Sequence, residues 1–205
     1  MKIYFIRHGK TKGNIKRRYV GTTDEGLVEG KQEALVKLKT NLLTELLTVE
    51  EIYVSPLRRC VETGSFLFPE ARQILVDGFR ECDFGDFEYK NHNELIDNPV
   101  YQQWLHAGGE ITFPGGESKE SFQSRVVESF LELMRKLDCN SGLSNRGECI
   151  VMVVHGGTIM SILDRFSVPH KDYFDWQVGN GEGFVGDVIV DDGEVTITNL
   201  HSLCG

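Results

Sequence analysis

Apolar and polar positions along this chain alternate in two rhythms. Short apolar, β-branched or aromatic runs at residues 3–6, 51–54, 73–76, 150–154, 184–190 and 194–199 predict strands. The first and fourth are apolar throughout, as in strands covered on both faces of a parallel sheet. Asp191-Asp192-Gly193 separates the last two and predicts a hairpin. Helical spacing places Ala34, Leu35, Leu38, Leu42 and Leu46 on one stripe. It places Phe122, Val126, Phe130, Leu133 and Leu137 on another, entered through Ser118 as N-cap. Strands alternating with helices predict an α/β fold, read here as a single domain over residues 1–205. Residues 77–117 break the alternation. They carry Phe79, Phe84, Phe87, Tyr89, Tyr101, Trp104 and Phe113 with two Gly-Gly pairs, and are expected to form a cap insertion over one end of the sheet. Residues 138–148 read as a polar surface loop.

Composition narrows the choice of partner. The 205 residues are 40% hydrophobic and 26% charged, ordinary for a soluble globular protein, and the formal net charge is −9. That balance argues against nucleic acid, whose backbone needs a basic face. A small anionic substrate feels only its pocket's charge and is still allowed. The five cysteines form no CxxC pair and suggest free thiols in a reducing cytosol. No secretory pattern and no membrane-length apolar run is present, so a cytoplasmic protein with no membrane partner is expected.

One pattern occurs twice. The run IYFI leads into Arg7-His8-Gly9-Lys10-Thr11, and IVMVV leads into His155-Gly156-Gly157-Thr158. Ligands of a parallel α/β sheet bind beyond the carboxyl ends of its strands. If the two strands are neighbours, both imidazoles face one crevice, with glycine beside each to admit a ligand. Two decoys fail on context. Gly9-Lys10-Thr11 imitates a P-loop but has Tyr4 where the first glycine belongs, and the glycine-spaced stretch 181–186 precedes a strand instead of opening a helix. A metal site is disfavoured because His92, His106, His170 and His201 lack ligand spacing and Arg7 adjoins His8. Arg7, Arg17, Arg18, Arg58 and Arg59 instead suit a phosphate, which guanidinium groups grip through forked hydrogen bonds.

These stretches resemble the histidine phosphatase superfamily, the phosphoglycerate-mutase-like fold. RHGKTKGN is similar to its signature, RRYVGTTDEGL to the segment after it, SPLRRCVET to its second motif, FRECDFGDFE to its acidic motif, and FPGGES and VVHGGT to the last two. The resemblance spans nearly the whole chain. It implies a three-layer α/β/α sandwich with a mostly parallel central sheet, and a phosphohistidine enzyme with no metal and no cofactor. His8 would be the nucleophile and Glu81 the general acid and base; on its own, Glu81 reads as a surface carboxylate. Arg7, Arg59 and His155 would surround the phosphoryl group, assisted by Asn14, Arg18, Gly21 and Gly156. His155, if protonated, would add a donor, and the arginines would disfavour protonation of His8.

Lys10, Gly26, Phe87 and Tyr89 depart from the family's usual Glu, Pro, Trp and Gly. None replaces a chemical group. The segment after the acidic motif is acidic and aromatic with one lysine, which resembles the phosphatase branch more than a mutase. Within that branch, GTTDEGL and FPGGES resemble the alpha-ribazole phosphatases of cobalamin assembly, and Phe87, Tyr89, Tyr101 and Trp104 could stack on a heteroaromatic substrate. Open alternatives are a phosphoglycerate mutase, a broad-specificity phosphatase of sugar phosphates or nucleotides, and a silent phospho-ligand-binding module. The expected partner is a small phosphorylated metabolite, for a monomer or homodimer.

Overall fold

The computed structural model describes all residues except 43–48, 110, 142–148 and 204–205. Six strands form one sheet in the order β3-β2-β4-β1-β5-β6. They are β1 Lys2–Arg7, β2 Glu51–Val54, β3 Arg72–Leu75, β4 Ile150–Val154, β5 Gly183–Asp191 and β6 Glu194–Ser202. The first four pair in parallel, whereas β5 lies antiparallel to β1 and to β6. The β5–β6 turn sits where Asp191-Asp192-Gly193 predicted it, with φ of 48° at Asp192 and 82° at Gly193.

Alternation along the central strands divides the interior. Tyr4, Ile6, Val151 and Val153 pack with Leu35 and Leu38 of α2 (Glu33–Leu42) and with Cys60 and Leu67 of α3 (Arg58–Leu67). Ile3, Phe5, Met152 and Val154 face the other way, toward α6 (Lys119–Ser141) and α7 (Gly156–Phe166). The result is a helix layer on each side of a sheet whose middle strands have no polar face.

The segment 77–117 holds two single 3₁₀ turns, Asp77–Phe79 and Gly85–Phe87, and two short helices, α4 (His92–Leu95) and α5 (Pro99–His106). Its buried Phe79, Phe87, Leu95, Tyr101 and Phe113 are continuous with the α6–α7 side of the core.

The bounds of several predicted elements shift: β5 and β6 extend past the expected 184–190 and 194–199. β3 starts and ends one residue early, since strand ends carry little signal. The polar loop expected at 138–148 begins later, because α6 continues to Ser141; the rest of that loop, and Leu46 of the α2 stripe, lie outside the described residues. No helix among the described residues is long and apolar enough to cross a membrane.

Candidate active site

β1 and β4 are adjacent and in register, with Arg7 opposite Val154. The next residues on the two strands are therefore His8 and His155. The His8 amide still donates to the Val154 carbonyl at 3.0 Å, which fixes the spacing of the pair. The two rings lie 5.2 Å apart, inclined at 65°. After His8 the chain crosses to Thr11, which caps the one-turn helix α1 (Lys12–Ile15) reciprocally with Asn14. His155 leads straight into α7.

The tautomer of His8 follows from its neighbour. Its Nδ1 lies 2.8 Å from the Gly9 carbonyl, which can only accept. The proton therefore sits on Nδ1, and Nε2 keeps its lone pair. Burial first, then the charges of Arg59 and Arg7, hold this imidazole well below the usual histidine range. His155 is held low in the same way, by burial and then by Arg59. The sequence allowed His155 to add a donor if protonated; burial and Arg59 disfavour that charged form. The His155 Nε2 lies 2.7 Å from the Ser55 hydroxyl; a hydroxyl donating there puts the ring proton on Nδ1, so the neutral ring still has one donor.

Arg59 is fully buried at the start of α3. It donates to the carbonyls of Thr23 at 2.9 Å, Gly21 at 2.8 Å and Val20 at 3.3 Å. Gly21 is needed for this approach, because a Cβ there would collide with the Cys82 carbonyl. Gly21 therefore positions Arg59 through its carbonyl, and its own amide is spent on Glu88 at 3.0 Å. Arg7 donates to the Val178 carbonyl. The Nε atoms of Arg7 and Arg59 are buried donors without a protein partner.

Asn14 is brought to the same place. Its Oδ1 accepts from the Thr11 amide and from Asn180 Nδ2 at 3.1 Å, which leaves its own Nδ2 as the atom to offer an oxyanion. Asn180 also donates to the His8 carbonyl at 3.3 Å. Ser55 opens the second motif, SPLRRCVET, where only its arginine was given a role; Asn180 does not stand out in the sequence, because it precedes the decoy stretch 181–186, which the structure divides between a loop and β5. Arg18 is not brought to the site. Its guanidinium bonds the Tyr89 carbonyl and Glu94 and lies 4.9 Å from the Tyr89 ring centre.

Glu81 follows the first 3₁₀ turn. Its carboxylate accepts from the Cys82 amide at 3.0 Å and the Gly157 amide at 3.4 Å. Burial outweighs these bonds and the charges of Arg59 and Arg7, and pushes the carboxyl up from its ordinary value. A raised carboxyl that keeps its proton longer can act as an acid. Gly157 leaves the room it needs: a Cβ there would strike Glu81 Oε1 and stand 2.9 Å from Phe122 Cζ. We predict that Gly157→Ala lowers kcat by about 10²-fold for esters with poor leaving groups and far less for 4-nitrophenyl phosphate, which leaves without a proton. Paired kcat measurements on an alkyl and a nitrophenyl ester check this.

Arg7, Glu81, Gly156 and Gly157 lie in the wall of a cavity of about 770 Å³. Its other lining includes Tyr19, Phe84, Trp104, Phe113, Tyr173 and Phe174. Of the four rings expected to stack on a substrate, only Trp104 lines it. Phe87 and Tyr101 are 1% exposed and belong to the core, and the Tyr89 hydroxyl donates to Glu25 at 3.1 Å. Among the described residues, no cluster of three His, Cys, Asp or Glu side chains is placed to hold a metal ion.

The family model of the histidine phosphatase superfamily (branch 1) matches residues 3–199. The chain belongs to this superfamily. As a histidine phosphatase it is similar to an adenosylcobalamin/alpha-ribazole phosphatase of Salmonella typhimurium, 25% identical over 187 residues, covering 88% of this chain and 87% of the relative. A 2,3-bisphosphoglycerate-dependent phosphoglycerate mutase of Rhizobium etli is also 25% identical, over 174 residues, covering 78% of this chain and 77% of the mutase. The alpha-ribazole phosphatase structure from Shigella flexneri superposes with a TM-score of 0.77 at 21% identity, over 96% of this chain and 94% of that one, and so shares the fold.

Proposed function

We propose that this histidine phosphatase is a phosphomonoesterase that works through a phosphohistidine on His8, with a small phosphorylated metabolite as substrate. The observation that carries the reading is the oriented, neutral His8, with its Nε2 lone pair free, 5.2 Å from His155 and beside two arginines. Phosphoryl transfer asks chiefly for alignment and charge neutralisation. Arg7, Arg59, Asn14, the His155 donor and the α7 amides supply both.

In the first step His8 Nε2 bonds to phosphorus, the ester P–O bond breaks, and the Glu81 proton goes to the leaving oxygen. In the second, water attacks phosphorus, Glu81 takes its proton, the P–N bond breaks, and inorganic phosphate leaves. Two easier displacements replace one hard one.

The ring-lined cavity supports a leaving group larger and flatter than a three-carbon acid, which would fill little of 770 Å³. Together with the Salmonella relative, this favours alpha-ribazole phosphate, in cobalamin assembly, over phosphoglycerate. The test combines a substrate panel with a trap. We expect alpha-ribazole phosphate to be hydrolysed with the highest kcat/KM among alpha-ribazole phosphate, sugar phosphates and 3-phosphoglycerate. Acid-labile, alkali-stable label should be recovered on the peptide containing His8 after rapid quenching. Turnover should persist in chelator. Isomerisation of 3-phosphoglycerate without phosphate release would replace the phosphatase reading by the mutase one. Absence of label on His8 during turnover would remove the intermediate.

A further inference from the structure

The loop from Val20 to Thr23 is held from two sides by opposite charges. Its carbonyls accept from Arg59. Its amides donate to Glu88, a half-buried residue that closes the second 3₁₀ turn. Glu88 Oε1 accepts from the Gly21 amide at 3.0 Å and the Thr22 amide at 2.9 Å. Oε2 accepts from the Thr23 hydroxyl at 2.7 Å and the Thr23 amide at 3.4 Å. Successive amides turned onto one anion form a nest. Oε1 also accepts from the Phe84 amide at 3.2 Å, which ties the loop to a ring in the wall of the leaving-group cavity.

Two peptide groups are bridged outright. The Val20–Gly21 peptide offers its N–H to Glu88 and its C=O to Arg59, and the Gly21–Thr22 peptide does the same. Hydrogen bonds in such a chain polarise one another, so the carboxylate makes these carbonyls better acceptors. Arg59 needs them. It is fully buried, and its hydrogen bonds go to carbonyls, not to a carboxylate. A buried cation is costly without compensation, and Glu88 supplies it at one remove.

We infer that Glu88 is a positioning residue of the phosphoryl site: through the bridged peptides of the 20–23 loop it fixes the Arg59 guanidinium where the transferring phosphoryl group is met. This rests on the reading of Arg59 as a phosphoryl ligand. The stretch FRECDFGDFE then carries two carboxylates with separate tasks, Glu81 for the proton and Glu88 for the arginine. Glu88 acts only through Arg59, so its effect should disappear when Arg59 is absent.

A double-variant cycle on 4-nitrophenyl phosphate tests it. Glu88→Ala should lower kcat/KM by about 10-fold or more, the usual cost of losing hydrogen bonds to a charged group. It should also move the acid limb of kcat/KM to the alkaline side, because a displaced Arg59 holds His8 and His155 low less well. In an Arg59→Met background the same change should cost less than about two-fold. A loss as large in that background as in wild type, or an acid limb that Glu88→Ala leaves unmoved, would make Glu88 a general support of the fold and overturn the inference. Glu88→Gln keeps one acceptor oxygen for the amides and should show a smaller loss of the same kind. It carries the cycle if circular dichroism shows Glu88→Ala unfolded, and wild-type kcat/KM in Glu88→Gln overturns the inference. If the wild type hydrolyses no ester, the phosphatase reading fails, and the cycle is read on the dissociation constant of inorganic phosphate. Equal losses in both backgrounds, or no phosphate binding by the wild type, overturn the inference there too.

Discussion

Replacing His8 with alanine should abolish turnover of every phosphomonoester, with a loss in kcat on the order of 10⁶-fold. The size follows from what is removed. In the proposed mechanism His8 supplies the atom that bonds to phosphorus, and among the described residues no second nucleophile is poised in its place. His155 has its Nε2 at the Ser55 hydroxyl, and burial pushes the nearby Cys60 thiol up to about 12, so neither takes over the attack. The loss should lie in kcat, because the arginines that bind the phosphoryl group remain. Phosphate should therefore still compete as a ligand with the variant. The fold should survive, since His8 gives up one hydrogen bond to Gly9 and a small buried volume.

Acid titration of the same pair gives an independent check. The folded pKa of His8 lies below the ordinary 6.5, so the unfolded chain binds more protons as pH falls below that value. Stability associated with this residue is present above 6.5 and is lost on the acid side. The alanine variant lacks that loss. Its Tm relative to wild type should thus improve as pH falls below 6.5, and a difference independent of pH would show that His8 is not held neutral in the folded protein.

Much of this site was legible in the sequence because strand ends are fixed by short-range rules. IYFI and IVMVV are too apolar to face water and so read as central strands, which would put His8 and His155 at one edge if the two were neighbours; their parallel pairing in the sheet supplies that condition. The family motifs then pointed to Arg59 and Glu81. Side chains whose role depends on distant partners were not legible. Arg18 carries the charge a phosphate needs, yet Glu94 and Tyr89, both more than seventy residues away, claim it. Phe87 and Tyr101 look like stacking platforms in a glycine-rich segment, but the packing of 77–117 onto the α6–α7 side of the sheet makes them core.

Arg59→Met should lower kcat/KM by about 10³–10⁵-fold, the range for losing an arginine that neutralises a transferring phosphoryl group. Methionine has a comparable length and no charge, so it separates electrostatics from packing. Three carbonyls, of Val20, Gly21 and Thr23, lose their donor at once, and the loop they belong to should loosen. The variant should also alter the pH profile in a direction set by its neighbours. After burial, Arg59 is the largest influence holding both His8 and His155 low. Without it each imidazole moves back up toward the ordinary 6.5. Protonation of the nucleophile then begins at a higher pH, so the acid limb of kcat/KM should shift to the alkaline side relative to wild type. Arg59→Lys distinguishes the two contributions. Its ammonium keeps the charge, so the acid limb should stay near the wild-type position, whereas the rate should stay low because one ammonium cannot span three carbonyls and a phosphoryl oxygen as a fork does. A lysine variant with near wild-type kcat/KM would mean that Arg59 acts only as a distant charge, and a methionine variant with an unmoved acid limb would mean that it does not act on the imidazoles at all.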